Sequence, residues 1–496
     1  MTTLETIIVG AGIAGIAAGA KLRREGLAGD MLILERANDI GGTWRDNVYP
    51  GVACDIPASL YEYSFRPNPR WKNRFSTGAD IQSYLGDVVA EEGLTEHLRF
   101  GTDVTAMEWN DADELWELST TRGPLRCRVL ILAVGRLSAP IIPDLAGLET
   151  FTGPIMHRST WDASVDFGGS RVGVVGTGAS AVQLVPQLAA LGAATTVFQR
   201  SAAWVVPRAD APVAPEKTDE FASNPAALRA HRDALFAEAE AGHTARVSDG
   251  VEREALRMTA LDHLDAQVAD RELRRRLTPD YEIGCKRVLL SDDYYPALAS
   301  GAVALEPSAL VALDGNVGVA ASGARIPIDV LVFATGFSAT RPPFADIVRG
   351  RNGRLLAEHW SKGMTAYASI LMAGFPNLFV LDGPNAALGH NSAFAMIEAQ
   401  VELVANIIDR MATQPVAVVE TTDAAEQNWS AELDAASTDS VWLSGCTSWY
   451  VDDRSGRVTL LWPGTAAEFQ RALRDVAREP LPAAASVRPF VTSAAV

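Results

Sequence analysis

Two short runs of apolar and β-branched residues each end on a glycine turn, and those turns constrain the fold more than any other feature. Thr6–Val9 leads into Gly10-Ala-Gly12-Ile-Ala-Gly15, and Arg171–Val175 leads into Gly176-Thr-Gly178-Ala-Ser180-Ala181. A helical pattern follows each turn, over Ile16–Arg24 and Val182–Ala190, and then a second apolar run, Met31–Leu34 and Ala194–Phe198. Strand, turn, helix, strand is the parallel βαβ unit. Gly10 and Gly176 permit the tight turn. Gly12 and Gly178 let the backbone approach a pyrophosphate, and Gly15 and Ala181 let helix and strand pack closely. The helix N-terminus then offers free N–H groups and the positive end of its dipole to the phosphates. The expected fold class is α/β, with two Rossmann-like dinucleotide-binding domains.

The two units differ in charge where their second strands end. Glu35 stands twenty residues beyond Gly15, where a carboxylate accepts hydrogen bonds from ribose hydroxyls and repels a 2′-phosphate. The second unit ends in Phe198-Gln199-Arg200-Ser201, with no acid. Arg200 can pair with a 2′-phosphate and Ser201 can hydrogen-bond to it, which favours NADPH over NADH. Opposite charge logic at the two sites implies hydride passing from NADPH to a flavin, so FAD is expected on the first turn.

Between about Val213 and Asp280 the chain is rich in Ala, Glu, Arg and Leu and reads as an inserted helical segment, with charge runs such as Arg271–Arg276 on solvated faces. Val129–Ala133 and Val330–Phe333 both run toward a glycine, Gly135 and Gly336, which suggests crossings between domains. The expected partition is 1–145 and 336–480 for the FAD-binding domain, 146–212 and 281–335 for the NADPH-binding domain, 213–280 for the helical insertion, and 481–496 for a loose tail. A net charge of -18 argues against nucleic acid and anionic lipid as partners. No apolar run is long enough to span a membrane, the N-terminus offers no secretion signal, and a cytoplasmic location is expected. Cys54, Cys127, Cys285 and Cys446 are far apart and form no C-x-x-C pair, so reduced buried thiols are expected and no metal.

Three stretches give the chain a resemblance to the class B flavoprotein monooxygenases, specifically the type I Baeyer–Villiger monooxygenases. Residues 41–55, from Gly41-Gly-Thr43-Trp44 through Tyr49-Pro-Gly to Asp55, are similar to the family's G-G-x-W-x4-Y-P-G-x3-D stretch. Residues 151–162, with Phe151, Gly153, His157, Trp161 and Asp162, match F-x-G-x3-H-x3-W-[P/D]. Gly284-Cys-Lys286-Arg287 is similar to the Lys-Arg pair that closes the helical insertion. Gly383–Ser392 and Cys446–Tyr450 look more like the 4-hydroxyacetophenone branch than the cyclohexanone type. Two departures are Ala133-Val-Gly135, where Ala-Thr-Gly is usual, and Asp452–Gly456, which does not match the Gly-Ala-Asn loop of cyclohexanone-type members.

The resemblance implies a cycle in which NADPH reduces FAD, O2 adds to the flavin C4a, and the peroxide attacks a ketone to give an ester or lactone. Oxidation of sulfur or nitrogen in a soft nucleophile is the alternative. It implies Arg287 as the catalytic cation and Asp55 as its carboxylate partner. Lys286 joins Arg200 on the 2′-phosphate, and Thr43, Trp44 and Tyr61 line the flavin. Phe151, Gly153, His157 and Trp161 couple the domains without touching substrate. Trp449 resembles a tryptophan on the loop that folds over NADP, with a core position as the alternative. Tyr294 and Tyr295 are expected to be packing residues. The partners implied are a small ketone and O2, and the assembly a monomer or homodimer.

Overall fold

The computed structural model describes residues 3–247, 250–414 and 416–480. The tail expected over 481–496 lies outside the described residues. The first sheet has eight strands, in the order Val348–Arg349, Val104–Asn110, Leu115–Thr120, Leu125–Leu132, Thr3–Val9, Met31–Leu34 and Leu98–Arg99, with Leu378–Val380 also paired to Leu125–Leu132. Its centre is parallel, with Ile7 opposite both Leu32 and Leu130. Ile7, Ile8 and Ile33 are fully buried, because helices and loops cover both faces. That is why these strands read as continuous apolar runs and not as alternations. Toward one edge, Val104–Asn110 and Leu115–Thr120 pair antiparallel, and the first of these alternates buried and exposed residues.

The second sheet has five parallel strands, in the order Val303–Glu306, Ala194–Phe198, Arg171–Val175, Val330–Phe333 and Ile155–His157. A three-stranded antiparallel sheet, Leu310–Asp314, Val317–Ala320 and Arg325–Pro327, accompanies it. The two segments that pass between the large sheets run side by side. Ile141 N donates to Gly336 O at 3.0 Å and Ser338 N to Ala139 O at 2.9 Å.

The inserted segment is helical, over Pro215–Ser223, Pro225–Ala241, Thr244–Val247, Val251–Gln267 and Arg271–Leu277. Asn224 and Asp270 cap the second and last of these through side-chain acceptors. The arginines of Arg271–Leu277 face solvent, where Arg275 and Arg276 pair with Glu272. Two polar anchors tie the insertion to the first unit. Arg232 donates to the carbonyls of Ser59 and Glu62 at 3.3 and 3.1 Å. Glu240 accepts from Ala466 N, Ala467 N and Asn391 Nδ2 at 3.0, 2.9 and 2.7 Å, so it caps the helix Ala466–Val476.

Cys285 and Cys446 are not reduced thiols. They form a disulfide across 161 residues, with Cα atoms 6.4 Å apart. Sequence spacing misled because the return of the chain from the insertion, and not local spacing, brings these thiols together. Cys54 and Cys127 are free and buried.

Candidate active site

The first glycine turn is closed on itself. Gly10 has φ +106°, and a Cβ there would stand 2.5 Å from Ala133 O, while one on Gly15 would stand 1.8 Å from Gly10 O. Gly12 caps the helix Ile13–Arg24 with no side-chain acceptor and no acid in the first turn, which leaves its N–H groups for an anion. Glu35, 5% exposed, accepts from Ala11 N at 3.0 Å and Ala37 N at 2.9 Å, and Arg45 pairs with it at 3.0 Å. Its carboxylate therefore braces the turn and places a negative charge at the strand end. Trp44 is buried edge-to-face against Tyr61, with ring centroids 5.6 Å apart, and Thr43 is exposed beside it. Burial pushes the Tyr61 phenol well up, so it stays protonated.

The second turn repeats the backbone and opens outward. Gly176 has φ +114°, and its Cβ would meet Ala334 O at 2.6 Å, the counterpart of Gly10 against Ala133. Ala181 is fully buried, and nothing lies within 4 Å of a Cβ on Gly178. This helix N-terminus also lacks a side-chain cap and an acid. Arg200 is exposed, and Lys286 Nζ donates to Ser201 Oγ at 3.1 Å. Burial and then the charge of Arg200 lower the Lys286 ammonium pKa. Two cations held close beside a hydroxyl form an arrangement that a bound phosphate would relieve.

The two units meet through Tyr49, which sequence reasoning left without a role although it lies in the 41–55 stretch. Its phenol oxygen is 2.9 Å from Gln183 Oε1 and 3.2 Å from Ser180 Oγ, and Gln183 Nε2 donates back to Ala53 O at 3.0 Å.

Near that seam, Arg287 Nε and Nη2 donate to Asp55 Oδ2 at 2.9 and 2.7 Å. The side chains are 27% and 23% exposed, so the pair is held but not sealed. Asp55 raises the already high pKa of the guanidinium, which stays charged at any working pH. Sequence reasoning also missed the neighbours. Tyr450 is 3% exposed and sits in one apolar cluster with Cys285, two residues before Arg287, whose charge opposes the rise that burial gives its phenol pKa. Arg246, on the insertion, lies near enough for the charge of Arg287 to lower its pKa further after burial has done so. Arg136, which pairs with Asp382, also feels the charge of Arg287. Three guanidiniums thus approach one region from three parts of the chain. Only contacts distant in sequence reveal this, so no local motif signals it.

The 151–162 stretch packs between units. Phe151 sits in an apolar cluster with Phe198 and Phe333, and a Cβ on Gly153 would stand 2.0 Å from Asp329 O. His157 is 1% exposed, with Nε2 3.1 Å from Gly336 O on the crossing segment and Nδ1 2.8 Å from Ser159 Oγ. Burial, then Arg158, pushes its pKa down to about 4, so the imidazole is neutral near pH 7. Arg158 lies over the Phe337 ring at 4.4 Å and donates to Asn47 Oδ1 at 3.2 Å, which joins the crossing to the 41–55 stretch. Trp161 stacks on Phe167. Trp449 is 44% exposed, which excludes the core position, and Tyr294 and Tyr295 are buried as expected. Among the described residues, no helix is long and apolar enough to cross a membrane and no group of three His, Cys, Asp or Glu is placed to hold a metal.

The fold and these cradles define a two-dinucleotide flavoprotein oxidoreductase. A family described as pyridine nucleotide-disulphide oxidoreductase matches residues 7–251. A Baeyer–Villiger monooxygenase of Streptomyces coelicolor A3(2) is 42% identical over 471 residues, covering 95% of this chain and 90% of its own. One from Pseudomonas aeruginosa PAO1 is 38% identical, covering 94% and 89%. The crystal structure of OTEMO complexed with FAD and NADP superposes with a TM-score of 0.86 at 28% identity, over 96% of this chain and 97% of that one. The chain belongs to the Baeyer–Villiger monooxygenase family.

Proposed function

We propose that this chain holds FAD on the first turn and NADPH on the second, and inserts one atom of O2 beside a ketone carbonyl. The balance is ketone, O2, NADPH and a proton giving ester or lactone, NADP+ and water. FAD, when bound, supplies the electron relay from NADPH to O2. In this reading Gly10, Gly12, Gly15, Glu35, Thr43, Trp44, Asp55 and Tyr61 hold FAD. Gly176, Gly178, Ser180, Ala181, Arg200, Ser201, Lys286 and Trp449 hold NADPH. Residues 1–145 with 336–480 form the FAD domain, and 146–212 with 281–335 form the NADPH domain. Phe151, Gly153, His157 and Trp161 couple them.

The observation that carries the reading is the Arg287–Asp55 pair at the seam. Negative charge gathers on oxygen as O2 is reduced, and again on the carbonyl oxygen once it is attacked. A permanent cation already oriented by a carboxylate stabilises both without reorganising. Asp55 keeps the guanidinium in place, and the partial exposure of the pair leaves a face open to substrate.

A panel of ketones incubated with holoenzyme, NADPH and O2 tests this by product analysis. Esters or lactones are expected. Sulfoxides or N-oxides alone from a mixed panel would overturn the ketone assignment. Arg287→Ala should still oxidise NADPH while ester formation falls by about 100-fold or more, and ester formation near the wild-type rate would remove its role.

A further inference from the structure

We infer that the Cys285–Cys446 disulfide is a redox-reversible clamp that positions Tyr450 against Arg287, so that its reduction uncouples NADPH consumption from oxygen transfer. The inference rests on the oxygenase reading above. Cys285 directly precedes Lys286 and Arg287, and Cys446 stands four residues before Tyr450. The bond therefore ties the segment bearing the phosphate and oxygen cations to the loop bearing Trp449 and Tyr450.

Little else holds the 445–447 tip of that loop. Among the described residues, no backbone–backbone hydrogen bond ties 445–447 to another segment; the Tyr450 and Val451 amides bond back to Ser448, and the chain is next held where Val451–Asp452 pairs antiparallel with Arg457–Val458. The flanking Leu443 and Trp449 are 39% and 44% exposed. Tyr450 is nevertheless buried, in one apolar cluster with Cys285, Val247, Val441 and Trp442. The disulfide is the covalent member of that cluster, and losing it frees the loop to carry the phenol away. Tyr450 acts through Arg287, as a positioning residue: clustered with Cys285, two residues before Arg287, it limits the swing of the guanidinium that donates to Asp55.

The two sulfurs differ in access. Cys285 is fully buried, while Cys446 is partly exposed on the loop. A small dithiol can attack Cys446 Sγ and release the Cys285 thiolate, which takes a proton. The second thiol then resolves the mixed disulfide, leaving two protein thiols and an oxidised dithiol. In the reverse direction, one thiol attacks hydrogen peroxide to give a sulfenic acid and water, and the other displaces a second water to close the disulfide. Hydrogen peroxide is what O2, NADPH and a proton yield when no oxygen atom reaches a substrate. Uncoupled turnover thus makes the oxidant that restores the clamp.

The test uses purified holoenzyme before and after dithiothreitol, with cysteine alkylation read by mass spectrometry. Cys285 and Cys446 should become alkylatable together. Hydrogen exchange over residues 441–452 should then rise. Ester formed per NADPH should fall at least threefold, with matching hydrogen peroxide, while flavin reduction by NADPH stays within twofold. Tyr450→Phe should show the same uncoupling with the disulfide intact and an unchanged KM for NADPH. Cys446→Ser, at a partly exposed position, should be uncoupled from the start and indifferent to dithiothreitol, which excludes an effect through Cys54. Unchanged exchange on reduction, or coupling unmoved by reduction and by Tyr450→Phe, overturns the inference. Absence of ester from every ketone would instead overturn the oxygenase reading, and the exchange and alkylation results would still decide the clamp.

Discussion

The two glycine turns are nearly the same piece of backbone put to different uses. Gly10 and Gly176 share a left-handed φ and press against Ala133 and Ala334 in the same way. Gly12 and Gly178 cap their helices at almost equal dihedrals. The differences lie around this common cradle. At the third motif position the first turn has no room for a methyl group, whereas Ala181 already carries one. At the strand end the first unit buries a carboxylate that braces its own turn, and the second exposes a guanidinium with Lys286 and Ser201 beside it. In the proposed reading both backbones receive a pyrophosphate, and the strand ends sort the ribose.

Three substitutions bear on that contrast. The largest effect belongs to Gly15→Ala, whose methyl group would fall 1.8 Å from Gly10 O; purified protein should carry no flavin by its absorption spectrum, and normal flavin content would show that the turns are not as different as described. Arg200→Ala should raise KM for NADPH about 10- to 100-fold and that for NADH less than about twofold, since a charge-assisted phosphate contact contributes about 1.5–3 kcal/mol. Equal effects on the two would remove Arg200 from the 2′-phosphate. Gly178→Ala should retain its flavin and raise both KM values together, by about three- to tenfold, because its Cβ enters the space a pyrophosphate approaches.

The smallest effect concerns buried charge. Glu62, on the FAD side, is fully buried, and burial lifts its pKa to about 8 although Asn68 N and Trp71 Nε1 donate to it and Arg232 lies 3.8 Å away. A carboxyl raised this way holds a proton in the folded state that the unfolded chain releases above its ordinary pKa. Stability must therefore fall as pH rises from about 4.5 toward 8, and the whole penalty is present above that window. Glu62→Gln removes the ionisation. Between pH 6 and 9 its Tm should fall less than that of the wild type by about 2–3 °C, and parallel melting curves would show that Glu62 stays ionised throughout.

Much of this frame was legible in the sequence. Met31–Leu34, Arg171–Val175, Ala194–Phe198 and Val330–Phe333 are strands with the bounds that their sequence runs imply, because parallel strands covered on both faces leave a nearly continuous apolar signature, interrupted here at the exposed first residues Arg171 and Ala194. The helices Ile13–Arg24 and Ala179–Ala190 begin three residues earlier than their apolar patterns suggest, since glycine and small residues at a turn carry no periodicity. The pairing of Arg287 with Asp55 was legible only through the resemblance, for 232 residues separate the partners. Tyr49 on Gln183, Tyr450 beside Arg287, and Cys285 on Cys446 were not legible. Each joins segments whose meeting depends on how one sheet is set against the other.

The helical insertion leaves the second unit after Arg200 and Ser201 and gives the chain back just before Lys286 and Arg287. Both ends of the excursion are thus fixed by groups that handle charge, while its middle is tied to the rest of the protein by Arg232, Glu240, His243 and His263 and packs Val247 and Leu264 into neighbouring clusters. A change inside the insertion is therefore felt in both nucleotide units, through Arg232 and Glu240 on one side and His263 on the other.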